Sequence, residues 1–285
     1  MKIPYIAGNW KMLFEPKECG NYINDHCLFK ALDGKYHIFG ITSFQGATVA
    51  GEKYFAHGVT DSLDVPMREE KPAIDRGTLA WAPCVTEKDG NYYMIYGPSP
   101  TQLAVSFDLY EWYNYPIILK NEPLFAAHRD HFVLKVEDVY LMYVVGTKDR
   151  QGVVTLFESK NLLEWEFAGY ALTSGPDAPL QCAWGPMESP HVVKVDNMYY
   201  MLLTYTDCSA ENYHNTLVFA SENPRCFGEY NGEKGGAMPV AKLYAHAPEI
   251  LKDGDDYYIT TCGWKGYELP INGGVSIAPL KWKEI

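Results

Sequence analysis

At 285 residues the chain can bury roughly three quarters of its unfolded surface, so it needs no staple and no cofactor to hold a core together. Against 24 Lys and Arg stand 36 Asp and Glu, a formal net charge of −12 with no basic block, which excludes nucleic acid and anionic membrane as partners. The seven cysteines (Cys19, Cys27, Cys84, Cys182, Cys208, Cys226, Cys262) are odd in number and show neither CxxC nor metal-ligand spacing, so they read as buried free thiols of a reducing compartment. No signal-peptide core and no apolar span of about 18 residues is present, and a cytoplasmic protein is expected.

In chain order, a short strand opens around Tyr5 to Met12. Its run IAGNWKM resembles the first strand and loop of triosephosphate isomerase. A (β/α)8 barrel needs long amphipathic helices after it, and the apolar i, i+3, i+4, i+7 pattern is missing. Asn9 and Lys11 therefore read as ordinary residues beside a closure strand.

Five segments then share one template, an apolar strand, a polar turn and an aromatic strand: DHCLFKALDGKYHIFG from Asp25, APCVTEKDGNYYMIYG from Ala82, DHFVLKVEDVYLMYVVG from Asp130, SPHVVKVDNMYYMLLTY from Ser189 and APEILKDGDDYYITTCG from Ala247. Each predicts a β-hairpin. The aromatic strands start at Tyr36, Tyr92, Tyr140, Tyr199 and Tyr257, separations of 56, 48, 59 and 58 residues, enough for four strands and their turns. Second hairpins follow in QLAVSFDLYEWY, VVTLFESKNLLEWEF and NTLVFASENPRCFGEY. The repeat predicts an all-β chain and a single five-bladed β-propeller over residues 1–285, four antiparallel strands per blade, the opening strand pairing with the closing GGVSIAPLKW to seal the ring.

In a propeller the first strand of each blade lines the channel, so the residues that start it ring one mouth. Those pairs are Asn24-Asp25, Trp81-Ala82, Arg129-Asp130, Glu188-Ser189 and His246-Ala247. Pro follows in blades two, four and five (Pro83, Pro190, Pro248), where its fixed φ suits a strand's first residue, and His26 and His131 take that place in the other two. Three blades carry a carboxylate that a structural repeat does not need. Asp25, Asp130 and Glu188 converging on one mouth suit the cleavage of an acetal, which requires one acid to protonate the leaving oxygen and one carboxylate to attack or to activate water. Trp81 and Trp184 are candidates to stack on sugar faces, and Asn24, Arg129 and His246 to grip hydroxyls. As the acid, Glu188 is expected to have a raised pKa, from burial beside Trp184 and from the charge of Asp130.

On these residues the chain resembles the five-bladed-propeller glycoside hydrolases, above all family 43, whose members are β-xylosidases, α-L-arabinofuranosidases and arabinanases. The family's Asp-Pro, Arg-Asp-Pro and Glu-Gly-Pro are similar to Asp25-His26, Arg129-Asp130-His131 and Glu188-Ser189-Pro190. That resemblance implies a pentose-type substrate (arabinofuranosyl or xylosyl) and inversion, with Asp25 as general base, Glu188 as general acid and Asp130 orienting the substrate and tuning the acid. The sister family 32 of fructosidases has Asn-Asp-Pro, Arg-Asp-Pro and Glu-Cys-Pro at these places. Asn24-Asp25 and the closing GGVSIAPLKW lean that way. There the first Asp is a nucleophile and the outcome retention, and a β-sandwich usually follows the propeller, for which 285 residues leave no room.

A sugar-binding propeller without catalysis is the remaining alternative, since a protein-interaction propeller of the WD type lacks both its Trp-Asp signature and a use for three carboxylates. The partner expected is an oligosaccharide or glycoside, the oligomeric state is open, and the sequence supports neither a metal site nor a structural calcium in the channel. Whether His26 and His131 take part in the chemistry is also left open.

Overall fold

A computed structural model describes residues 1–17, 22–43, 49–75, 77–123, 126–264 and 273–285. Runs of Val, Ile, Tyr and Phe between short polar turns produce strands throughout, and the only helices among the described residues are two single 3-10 turns. The strands form five separate sheets in chain order, which is the expected five-bladed propeller. Blade one runs Asn24–Lys30, Tyr36–Thr42, Tyr54–Thr60 and Arg68–Ala73, and blade two Trp81–Lys88, Asn91–Gly97, Gln102–Ser106 and Tyr113–Tyr115. Blade three takes Ala126–Val136, Val139–Lys148, Gln151–Ser159 and Glu164–Ser174, blade four Met187–Val195, Met198–Tyr205, Asn215–Ser221 and Ala241–Tyr244. Two short strands, Ile118–Lys120 and Gly228–Tyr230, extend blade three beyond the four-strand template by pairing in parallel with its outer strand.

The ring is closed by the two ends of the chain. Blade five contributes Ile250–Asp253, Asp256–Thr261 and Val275–Glu284, and both Lys2–Ile6 and Lys11–Phe14 pair antiparallel with that last strand. Lys11 makes only an exposed ion pair with Asp64, 2.9 Å away, so the isomerase-like run is closure and nothing more. Five apolar clusters fill the five gaps between adjacent blades. Sheets packed radially in this way bury both faces, which is why strands such as Tyr36–Thr42 and Met198–Tyr205 are apolar without alternation. The thiols follow the core only in part: Cys27, Cys84, Cys182 and Cys262 are buried, but Cys208 is half-buried, Cys226 is exposed, and Cys19 lies outside the described residues.

One local device places the site. In a regular strand successive side chains point to opposite faces, so Arg129 and Asp130 could not share a mouth. Instead the inner strands open on a β-bulge: the pairing register slips between Asn24 and His26, Trp81 and Cys84, Arg129 and His131, and Glu188 and His191. At the equivalent residue of blades two to five, Ala82, Asp130, Ser189 and Ala247, φ is 46°, 53°, 50° and 44°. A bulge with a left-handed residue re-aims its neighbours, here bringing two consecutive side chains of each blade to the channel opening.

Candidate active site

Asp25, Asp130 and Glu188 meet at that opening, tied together by short contacts. Ser189 is the link: its hydroxyl donates to Asp25 Oδ1 at 2.9 Å and its backbone N–H to Asp130 Oδ2 at 3.1 Å. Arg129 lies between the other two acids, with Nη2 donating to Glu188 Oε1 at 3.1 Å and Nε 3.5 Å from Asp130 Oδ2. The guanidinium is itself buried and fixed by the carbonyls of Ala127, Trp184 and Met187 at 3.1, 3.0 and 3.3 Å. This five-donor fork is filled in place, so Arg129 is a positioned part of the acid cluster.

The remaining expected residues surround this core. His246 is buried, with Nε2 3.8 Å from Glu188 Oε2, while Asn24 is buried and accepts from the Tyr213 hydroxyl at 3.4 Å. Trp184 is about half exposed and sits within the 182–185 turn, which closes on Gly185. Gly185 has φ 79°, and a Cβ there would stand 3.2 Å from the Gly146 carbonyl oxygen, so the close approach that delivers Met187-Glu188 to the mouth needs glycine. Trp81 is half-buried and packs on the apolar cluster between blades one and two. Beneath the acids a cavity of about 20 Å³, room for one water, is lined by Asp25, His26, Asp130, His131, Ser189 and Glu249 among others.

The electrostatics depart from the expectation for Glu188. Burial alone would raise its pKa, but His246 and Arg129 outweigh burial and hold Glu188 below the ordinary carboxylate range. Asp130 is instead pushed up to about 8, by burial first and then by the charge of Asp25, with Arg129 opposing. Asp25 is also raised, by burial ahead of the Glu188 charge, against His246 and the Ser189 hydroxyl. Three carboxylates around one guanidinium cannot all ionise cheaply, so the free site keeps a proton, and keeps it on the aspartates.

His26 and His131 stand outside the acid–base chemistry. Burial pushes each down to about 3, so both are neutral, and they bond Thr260 Oγ1 at 2.7 Å and Thr101 Oγ1 at 2.9 Å as channel-wall residues. The structure adds residues that the repeat did not flag. Glu52 is buried, accepts from the Tyr22 hydroxyl at 2.7 Å, and is raised by burial with the Asp25 charge contributing. Tyr213 stacks on His246 with ring centroids 3.9 Å apart. Cys262 brings a thiol to within 4.8 Å of donor atoms of Asp25 and His246. Glu52 and Tyr213 lie outside the repeated hairpin and Cys262 stands where other copies of it carry residues such as Val145 and Thr204, whereas register was the signal that singled out the acids.

Comparison with known proteins gives the family. The profile described as glycosyl hydrolases family 32 N-terminal domain matches residues 14–264. It is the sister family that the sequence left as the alternative. A Bombyx mori family 32 β-fructofuranosidase superposes with a TM-score of 0.67 at 17% identity, over 95% of this chain and 60% of that one. A mutant of that enzyme in complex with sucrose gives 0.68 at 16%, over 95% of this chain and 62% of that one. A thermostable family-43 glycoside hydrolase gives 0.68 at 17% over 95% and 96%, and an exo-1,5-α-L-arabinanase from a bovine ruminal metagenomic library 0.62 at 17% over 92% and 93%. At these identities the likeness shows the fold, which both families share, and the chain spans about 60% of the length of the Bombyx mori enzyme. No curated protein sequence matches the chain.

Proposed function

Because the chain belongs to the glycosyl hydrolase family 32 N-terminal domain family, and because Asp25, Asp130 and Glu188 share one mouth, we propose that it hydrolyses a β-fructofuranosidic bond with retention of configuration. The observation that carries this reading is the linked trio itself, three acids with Arg129 and Ser189 between them, in a chain whose family profile matches residues 14–264, the first four blades and the hairpin of the fifth. We prefer it to the inverting, pentose-directed reading because the family matched is 32 and Asn24-Asp25 is the form of its first motif.

In this mechanism Asp25 attacks the anomeric carbon while Glu188 gives its proton to the departing oxygen. Water then enters with Glu188 taking its proton back, and the glycosyl–Asp25 ester is released. Ser189 Oγ orients the attacking carboxylate, and Asp130, itself positioned by Arg129, holds the hydroxyls of the ring. The reacting state needs Asp25 ionised and Glu188 protonated, opposite to the resting distribution. Sugar hydroxyls donating to Asp25 and Asp130 stabilise their charge, and an aglycone lying over Glu188 screens it from His246 and Arg129, so binding itself moves the proton to where it is used.

Proton NMR of the first product formed from sucrose and from aryl β-fructofuranosides tests the reading. Retention, together with an ester trapped on Asp25, is expected. Inversion with cleavage of an arabinofuranoside or xyloside returns Asp25 to the role of base, and no turnover of any glycoside leaves a sugar-binding propeller.

A further inference from the structure

The mouth also carries a set of metal-ligand donors, of which His246 and Cys262 take no covalent part in the hydrolysis. Asp25, His246 and Cys262 each place one ligand-type atom within 4.8 Å of the other two. Asp25 comes from the inner strand of blade one. His246 and Cys262 flank the first hairpin of blade five and are clamped face to face: Cys262 N–H donates to the His246 carbonyl at 3.2 Å, and His246 N–H to Thr261 Oγ1 at 2.8 Å.

The imidazole is oriented as a metal ligand would be. Nδ1 lies 3.0 Å from the Cys262 carbonyl, which can only accept, so Nδ1 carries the hydrogen. Nε2 faces the carboxylate of Glu188, 3.8 Å away, so a cation bound there takes the place of the hydrogen by which His246 lowers the Glu188 pKa in the free site. A backbone carbonyl on one ring nitrogen, fixing the tautomer and aiming the other at a cation, is the outer-shell arrangement that metal-bound histidines use. Tyr213, stacked at 3.9 Å, holds the ring in that plane.

We propose that Asp25, His246 and Cys262, with Glu188 as the fourth ligand, form a tetrahedral site for a thiophilic divalent cation such as Zn²⁺, which plugs the mouth. Ligand bonds of about 2.0–2.3 Å put tetrahedral donors roughly 3.3–3.8 Å apart, so Asp25, His246 and Cys262, within 4.8 Å of one another, need to close by about 1 Å, and Glu188 Oε2 already stands 3.8 Å from His246 Nε2. Thiolate, imidazole and carboxylate select Zn²⁺ over Ca²⁺ or Mg²⁺, which take sets of oxygen ligands. On binding, the Cys262 S–H bond is replaced by S–Zn and its proton leaves to water. The cation also neutralises the crowded carboxylates. Occupancy removes Asp25 from the anomeric carbon, so the cation inhibits; only this consequence rests on the hydrolytic reading above, and the binding does not.

Titration of the intact protein with Co²⁺, followed by absorption, and with Zn²⁺, followed by calorimetry, decides it. One equivalent of Co²⁺ should give tetrahedral visible bands and a near-ultraviolet thiolate charge-transfer band. Cys262→Ser should lose that band and weaken Zn²⁺ at least about tenfold, a first ligand being worth no less than the 10–100-fold of an outer-shell partner. Cys226→Ser, at an exposed thiol remote from the mouth, should change neither, and excess Ca²⁺ should not displace Zn²⁺. A wild-type spectrum without a thiolate band, or a band that survives in Cys262→Ser, overturns the proposal. The wild-type spectrum decides alone if that variant does not fold. A protein that binds Zn²⁺ at this site but cleaves no glycoside overturns the hydrolytic reading and leaves the metal site standing.

Discussion

Replacing Asp130 by Asn converts the crowding of the carboxylates into a measurable stability. In the fold Asp130 holds its proton to about 8, against an ordinary 3.8. A carboxyl raised in this way contributes its full stability below about pH 4, loses it as pH climbs towards about 8, and contributes a constant penalty above that. At about 1.4 kcal/mol per unit, a shift of roughly 4 units sets a ceiling of about 6 kcal/mol on the penalty at alkaline pH. The amide keeps an acceptor for Ser189 N–H but removes the charge facing Arg129, and breaking a buried pair gives back about 3 kcal/mol. Arg129 retains its 3.1 Å contact with Glu188, so no buried cation is stranded. We expect Asp130→Asn to be more stable than the parent by up to about 3 kcal/mol near pH 9, with the advantage shrinking steadily towards pH 5. Urea unfolding of both proteins across that range measures it. A difference that does not change with pH, or one that grows as pH falls, would refute the argument from buried charge.

Three further outcomes are expected. Glu188→Gln should lower turnover of substrates with poor leaving groups by about 10²–10⁴ while sparing activated aryl glycosides, and equal losses on both measured by initial rates would exclude an acid role. Ala82→Gly, at φ 46° in the one blade mouth pair that carries no charge, should raise stability by about 0.5–1 kcal/mol in chemical denaturation, and an unchanged midpoint would mean that the bulge stores no strain there. Trp165→Ala should cost about 3–5 kcal/mol, because the indole is fully buried in the gap between blades two and three and donates to the Leu162 carbonyl at 3.1 Å; a loss under 1 kcal/mol would show that the gap collapses around the deletion.

The amino-acid sequence by itself determined the propeller, because a hairpin template repeated five times has few other ways to bury both faces of its strands. Equivalent register in successive copies is itself a geometric constraint, since it fixes which residues open each inner strand. That register brought Asp25, Asp130 and Glu188 to one mouth, with Arg129 and His246 beside them. Only the tertiary structure decided which acid holds the proton. The pKa of Glu188 depends on where Arg129 and His246 come to rest, and those are contacts across blades 59 and 58 residues apart in sequence. Glu52 and Tyr213 were illegible because each reaches the mouth from an irregular segment outside the repeated hairpin, and Cys262 because other copies of its hairpin carry residues such as Val145 and Thr204 at that place. A repeat reveals what is common to its copies, whereas a site is built from the residues in which the copies differ, and those are brought together by ring closure alone.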